Sequence, residues 1–101
     1  MIDCDVYADA DAAELEKWLE HEFGTRLHVD RSHDRDPIRA REFPDGFLYF
    51  SSLIEAGPQE LVARLLPALW KRGIPAVASC DYEDELPERG GYKSRAVPWP
   101  G

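Results

Sequence analysis

Ile2-Asp3-Cys4-Asp5-Val6-Tyr7 alternates apolar and polar side chains, the period of a strand with one face buried. If Ile2, Cys4 and Val6 face a core, Asp3, Asp5 and Tyr7 face away from it. The last apolar strand leaves in the same manner, through Cys80-Asp81-Tyr82-Glu83-Asp84-Glu85. Part of the formal charge of −8 is therefore expected in the sheet itself, where like charges on neighbouring strands repel.

The elements between these strands follow from local signals. Asp11-Ala12-Ala13-Glu14 has the acid-x-x-Glu spacing of a capping box, and Asp9 adds negative charge near the positive end of a helix dipole. Leu15, Leu19 and Phe23 recur every fourth residue, and Gly24 stands at a C-cap position. A helix is predicted over about residues 12–23. Arg26-Leu27-His28-Val29-Asp30 alternates as a strand does, and the polar stretch from Ser32 to Pro37 reads as a loop. Ile38 to Phe43 is a second short strand or the same edge strand resumed after a bulge. Pro44-Asp45-Gly46 is a turn signal. The run from Phe47 to Ile54 is the most strand-like in the chain and suits a central strand.

A second helix is expected after Gly57, with Pro58 at its first position and Glu60 in its first turn. Leu61, Leu65 and Leu69 form one apolar row, and Val62, Leu66 and Trp70 another. Pro67 predicts a kink or an early break, and Gly73 the stop. A last strand covers Ile74 to about Tyr82.

The order strand, helix, strand, strand, helix, strand matches an α+β, ferredoxin-like βαββαβ sandwich, with two helices packed on one face of a four-stranded antiparallel sheet. In that topology the first and third strands are central and the last lies antiparallel to the first. Cys4 and Cys80 then become neighbours. Residues 1–85 are expected to form a single α+β domain, and 86–101 a Pro/Gly-rich tail made locally basic by Arg89, Lys93 and Arg95. The tail either frays, as its very end is expected to do, or folds back as a strap anchored by Tyr92 or Trp99.

A chain of 101 residues can bury enough surface to fold as one domain. Apolar residues at 44% and charged residues at 32% indicate a globular chain rather than a disordered one. Twenty acids against twelve bases argue against nucleic acid and against an anionic membrane surface as partners. No basic run followed by an apolar stretch stands near the N-terminus, and no apolar run reaches the length of a membrane span. A cytoplasmic location with both cysteines reduced is the resulting expectation.

Motifs for chemistry are sparse. His21, His28 and His33 lie close in sequence with Asp30 and Asp34 nearby, without the paired spacings of zinc sites. The acidic run after Cys80 lacks the glycine and acid spacing of a calcium loop. Acidic surroundings disfavour a thiolate at Cys4 or Cys80, so both read as small core residues. No nucleophile elbow, phosphate loop or dinucleotide fingerprint is present, and Gly90-Gly91 reads as flexible tail. Aromatics on strand three suggest an RNA-stacking platform, which the acids beside them contradict. No catalytic residue, metal or cofactor is therefore assigned.

What remains is an open sheet face carrying Asp3, Asp5 and Tyr7 from strand one, Tyr49 and Ser51 from strand three, and Ser79 and Asp81 from strand four, with Glu83 beyond. Tyrosines among acids make a plausible surface for a basic protein partner. The leading expectation is a small acidic, non-enzymatic interaction module, an adaptor or an inhibitor of immunity type. The alternative is a small-molecule-binding or enzymatic ferredoxin-like homodimer with a pocket at the sheet, contacted by Tyr7, Tyr49 and His28.

Overall fold

The alternation at the N-terminal end produces strand β1 at Cys4–Ala8, with Cys4, Val6 and Ala8 buried, Asp5 exposed and Tyr7 half-buried. The computed structural model describes residues 4–56 and 58–100. Ile2, Asp3 and Gly57, all used in the sequence reading, lie outside them. Helix α1 spans Ala12–Phe23. The Asp11 carboxylate accepts the Glu14 N–H at 3.1 Å, and Gly24 closes the helix at φ 67° by donating its N–H to the Glu20 carbonyl. Both caps fall where the sequence places them. Strand β2 is short, His28–Arg31.

The stretch expected as a second short strand, Ile38 to Phe43, is not extended. The Asp36 carboxylate accepts the N–H groups of Ile38 at 2.9 Å and Arg39 at 3.2 Å, which starts a 3-10 turn over Arg39–Arg41. The strand expected from Phe47 onward is also shorter. Asp45–Tyr49 forms a second 3-10 turn, and strand β3 is Ser52–Ala56. At a period of three, Phe47 and Phe50 point the same way. In a strand they would face opposite sides. Gly46 lets the two turns pack closely, since a Cβ there would meet the Arg39 and Ala40 carbonyl oxygens at 2.6 and 2.7 Å.

Helix α2 spans Gln59–Lys71 and buries Val62, Leu65, Leu66 and Leu69. Pro67 stands on its exposed side, and the helix continues past it to Lys71, so the expected early break does not occur. Its end is a Schellman arrangement: Gly73 donates to the Trp70 carbonyl and Ile74 to that of Leu69. Strand β4 follows at Ala76–Ser79.

The fold is α+β, a four-stranded antiparallel sheet in the order β2-β3-β1-β4 with two helices. The first and third strands are central, as expected. Both helices cover one face, where Val6, Ala8, Ile54 and Ala78 meet Leu15, Leu19, Leu65 and Leu69 in a single core. On the opposite face Phe47, Phe50, Ala40 and Val77 form a second, smaller core against Tyr7, Tyr49 and Trp99.

The C-terminal segment is packed rather than frayed through Trp99. Leu86 enters the helix-side core, and Val97 is buried. The Trp99 indole N–H donates to the Arg41 carbonyl at 3.0 Å while its ring meets those of Phe43 and Phe50. Gly90 and Gly91 are not flexible tail: they run along the β4 edge at φ 79° and 94°, where a Cβ would meet the Ala78 and Ala76 carbonyl oxygens at 3.1 and 2.9 Å. An otherwise open sheet edge is thereby covered.

Cys4 and Cys80 are joined by a disulfide that closes 76 positions of sequence, with Cα atoms 5.0 Å apart. Their proximity was expected from the topology; their bonding corrects the expectation of reduced thiols. Joining the ends of so long a loop restricts the unfolded chain strongly. The variant Cys4→Ala/Cys80→Ala should lose about 2–5 kcal/mol of stability, seen as a lower urea midpoint. A midpoint equal to that of the untreated parent would show that the bond contributes nothing.

Candidate interaction surface

Pairing register places one row of side chains across all four strands on the face away from the helices. Ser79 on β4 lies beside Asp5 on β1, Asp5 opposite Glu55 on β3, and Glu55 opposite His28 on β2. The next row is Val77, Tyr7, Leu53 and Asp30. These rows differ in cover. Phe47 meets the Tyr7 ring edge to face at 5.3 Å, and Tyr92 meets Phe47 at 5.6 Å. Val77 is fully buried beneath this layer. Ser79, Asp5, Glu55 and His28 are all exposed.

The exposed row is acidic at its centre. Asp5 and Glu55 carry like charges at directly opposed positions, an arrangement that costs stability in an antiparallel pair. On the β2 side the His28 Nε2 is 2.8 Å from a carboxylate oxygen of Asp30 and 3.9 Å from one of Glu55. Among the described residues Asp5 forms no ion pair. Tyr7 has its phenol pKa raised, first by burial and then by the negative charges of Asp5 and Asp34.

The residues singled out from sequence divide accordingly. Asp5, Tyr7 and Ser79 share the far face, and Asp3 lies outside the described residues. Tyr49 and Ser51 are not on strand three. Tyr49 sits in the 3-10 turn, its hydroxyl accepting from the Arg39 guanidinium at 3.3 Å. Ser51 precedes the strand, and its hydroxyl contacts the Asp9 carboxylate and the Ala10 carbonyl. Asp81 is exposed just past β4, and Glu83 begins a short 3-10 turn, Glu83–Glu85, its carboxylate accepting the Cys80 N–H at 3.3 Å.

Glu55 and Asp30 were missed. Glu55 has the face parity of Tyr49 and Ser51 but lies one residue beyond the strand end read at Ile54. Asp30 has the same face parity as His28 on the second strand. The open clefts of about 560–580 Å³ are lined by residues of α1 and β2, of the C-terminal strap and of the α2 start, with none of Tyr7, Tyr49 and His28 among them. Among the described residues no group of three His, Cys, Asp or Glu side chains is placed to hold a metal ion, and no helix is long and apolar enough to cross a membrane.

Comparison with protein families, with curated proteins and with solved structures finds no match to this chain. The site is therefore read from its own chemistry.

Tyr7 should lag in an alkaline titration, and so should Tyr92, whose hydroxyl donates to the Asp45 carboxylate. Both folded pKa values lie above the ordinary 10.0. The fold therefore favours the neutral phenols. The stabilisation is complete below that pH and is lost as pH rises through the raised values. Tyrosinate absorbance should lose a late component in Tyr7→Phe and a late component in Tyr92→Phe. A parent titrating as four ordinary tyrosines would contradict the assignment.

Proposed function

We propose that this chain is a small acidic, non-enzymatic protein-interaction module, of adaptor or inhibitor type, that captures a basic protein partner on the exposed half of its far sheet face. The opposed, exposed Asp5 and Glu55 on the two central strands carry the reading. A solvated sheet face has no need of like charges in register, whereas a surface awaiting cationic groups gains steering and specificity from them. Ser79 extends that row toward Glu83, and Asp81 adds charge beyond the strand end.

The element order with strands arranged β2-β3-β1-β4 supports a ferredoxin-like description of the fold. That architecture hosts many functions and names none. A bonded Cys4–Cys80 pair fits an oxidising compartment better than the cytoplasm expected from sequence, because cytosolic thiols are kept reduced.

Two measurements bear on the surface. Asp5→Asn should raise stability by about 0.2–1 kcal/mol at low salt by relieving the opposed charges, with the gain shrinking as salt is added; a loss of stability would mean that the row is not repulsive. Asp5→Lys/Glu55→Lys should abolish salt-sensitive capture of a partner from the native host while circular dichroism stays that of the parent. Undiminished capture by this folded variant would remove the surface from consideration.

A further inference from the structure

Two of the three large apolar side chains exposed among the described residues, Leu48 and Tyr92, stand at one small cleft. Phe47 completes its apolar wall, the chain at Ala78 and Ser79 borders it, and Asp45 and Glu83 line it as well. The volume is about 170 Å³, below the range of about 300–1,000 Å³ that holds a drug-sized ligand. The cleft suits one inserted side chain rather than a metabolite.

Its electrostatics select the sign of that side chain. The ion pairs among the described residues lie elsewhere, at Arg26–Glu16, at His28 with Asp30 and Glu55, and at Arg39–Asp36. Asp45 accepts one hydrogen bond from the Tyr92 hydroxyl at 2.7 Å, and Glu83 one from the Cys80 N–H at 3.3 Å. A carboxylate accepts more than one such bond, so both acids retain free acceptor capacity with no cation on them. The Lys93 ammonium stands 5.4 Å from the Tyr92 ring centroid without pairing with either acid. Lys93 lines the neighbouring cleft of the strap, which shares Tyr92 with this one, and leaves the present cleft without a basic lining residue.

An apolar wall ending in paired acids fits a side chain with a long hydrocarbon stem and a cationic head. We propose that the cleft receives a single lysine or arginine side chain of the basic protein partner, its stem against Phe47 and Leu48 and its charge at Asp45 and Glu83. The proposal deepens the reading of an acidic capture surface and rests on it. Ser79 lines the cleft and also ends the exposed acidic row on β4, so a partner spanning that row reaches the cleft without leaving the molecule's far side.

The test uses the full chain, labelled with nitrogen-15, and three capped amino acids as probes in a millimolar titration: the N-acetyl methylamides of arginine, lysine and norleucine. The two cationic probes should shift the amides of Leu48, Ser79, Glu83 and Tyr92, and norleucine should not. Asp45→Asn/Glu83→Gln should weaken the arginine probe about tenfold, the loss expected for a charge-assisted hydrogen bond. Leu48→Ser should weaken it as well, through the stem. Asp5→Lys/Glu55→Lys should leave the cleft shifts in place. Equal shifts with norleucine, or full affinity in Asp45→Asn/Glu83→Gln, would overturn the proposal. Shifts confined to the surroundings of Asp5 and Glu55 would overturn the cleft while leaving the acidic sheet row standing. Cleft shifts on dilution of the protein alone would assign the cleft to a second copy and likewise overturn it.

Discussion

Phe47 and Phe50 lie one 3-10 turn apart and press together onto the sheet face that the helices leave bare. That contact divides the face. The half toward Val77 and Tyr7 is dry, roofed by aromatic rings from the turn and from the C-terminal strap. The half formed by Ser79, Asp5, Glu55 and His28 stays in water. Without the aromatic roof the whole face would be wet, and its apolar member Val77 would be exposed beside the acids. With a roof over all of it, Asp5 and Glu55 would be buried like charges, which a fold does not tolerate unpaired. Charge on this face is thus confined to positions that the second core does not reach.

The strap completes this division from a distance. Its anchors are spread through an unpromising composition: Leu86 on the helix side, Gly90 and Gly91 along the β4 edge, Tyr92 and Trp99 on the far side. Each contact closes a long loop, so the segment gains order only because several anchors act together. The Cys4–Cys80 bond lies just upstream and fixes the strap's point of departure to the central strand.

What the sequence made legible was whatever is decided locally. Asp11 and Gly24 cap the first helix through bonds to residues three and four positions away. The leucine rows of the second helix state their own period. The strand pattern of β1 survives because its alternation is strict. The middle of the chain was not legible for the opposite reason. Phe47, Tyr49 and Phe50 read as a strand by composition, yet their conformation is decided by a second core made with Val77 and Trp99, far along the chain. One local signal was available: Asp36 before Pro37 and Ile38 is a turn-forming acid, and it outweighed the weak strand propensity that follows. At the candidate site the parity of the third strand was right but its span was not, which put Tyr49 and Ser51 where Leu53 and Glu55 stand. Asp45 joins a site only once Tyr92, 47 positions later, docks beside it, and no local pattern carries that information.

The acidic row also poses an energetic choice that separates packing from function. Replacing one of two opposed carboxylates on exposed central strands by a neutral side chain would relieve repulsion at no packing cost, since neither Asp5 nor Glu55 contributes to either core. The cleft poses the same choice in another form. Leu48 and Tyr92 hold apolar surface in water next to acids that no cation neutralises, although a lysine at position 48 would cover the wall and satisfy the charge together. Within the described residues His28 approaches Glu55 at 3.9 Å and Lys93 stands over the Tyr92 ring, while Asp5, Asp45 and Glu83 form no ion pair; on the proposed reading, positive charge on a hydrocarbon stem from a partner would meet both features.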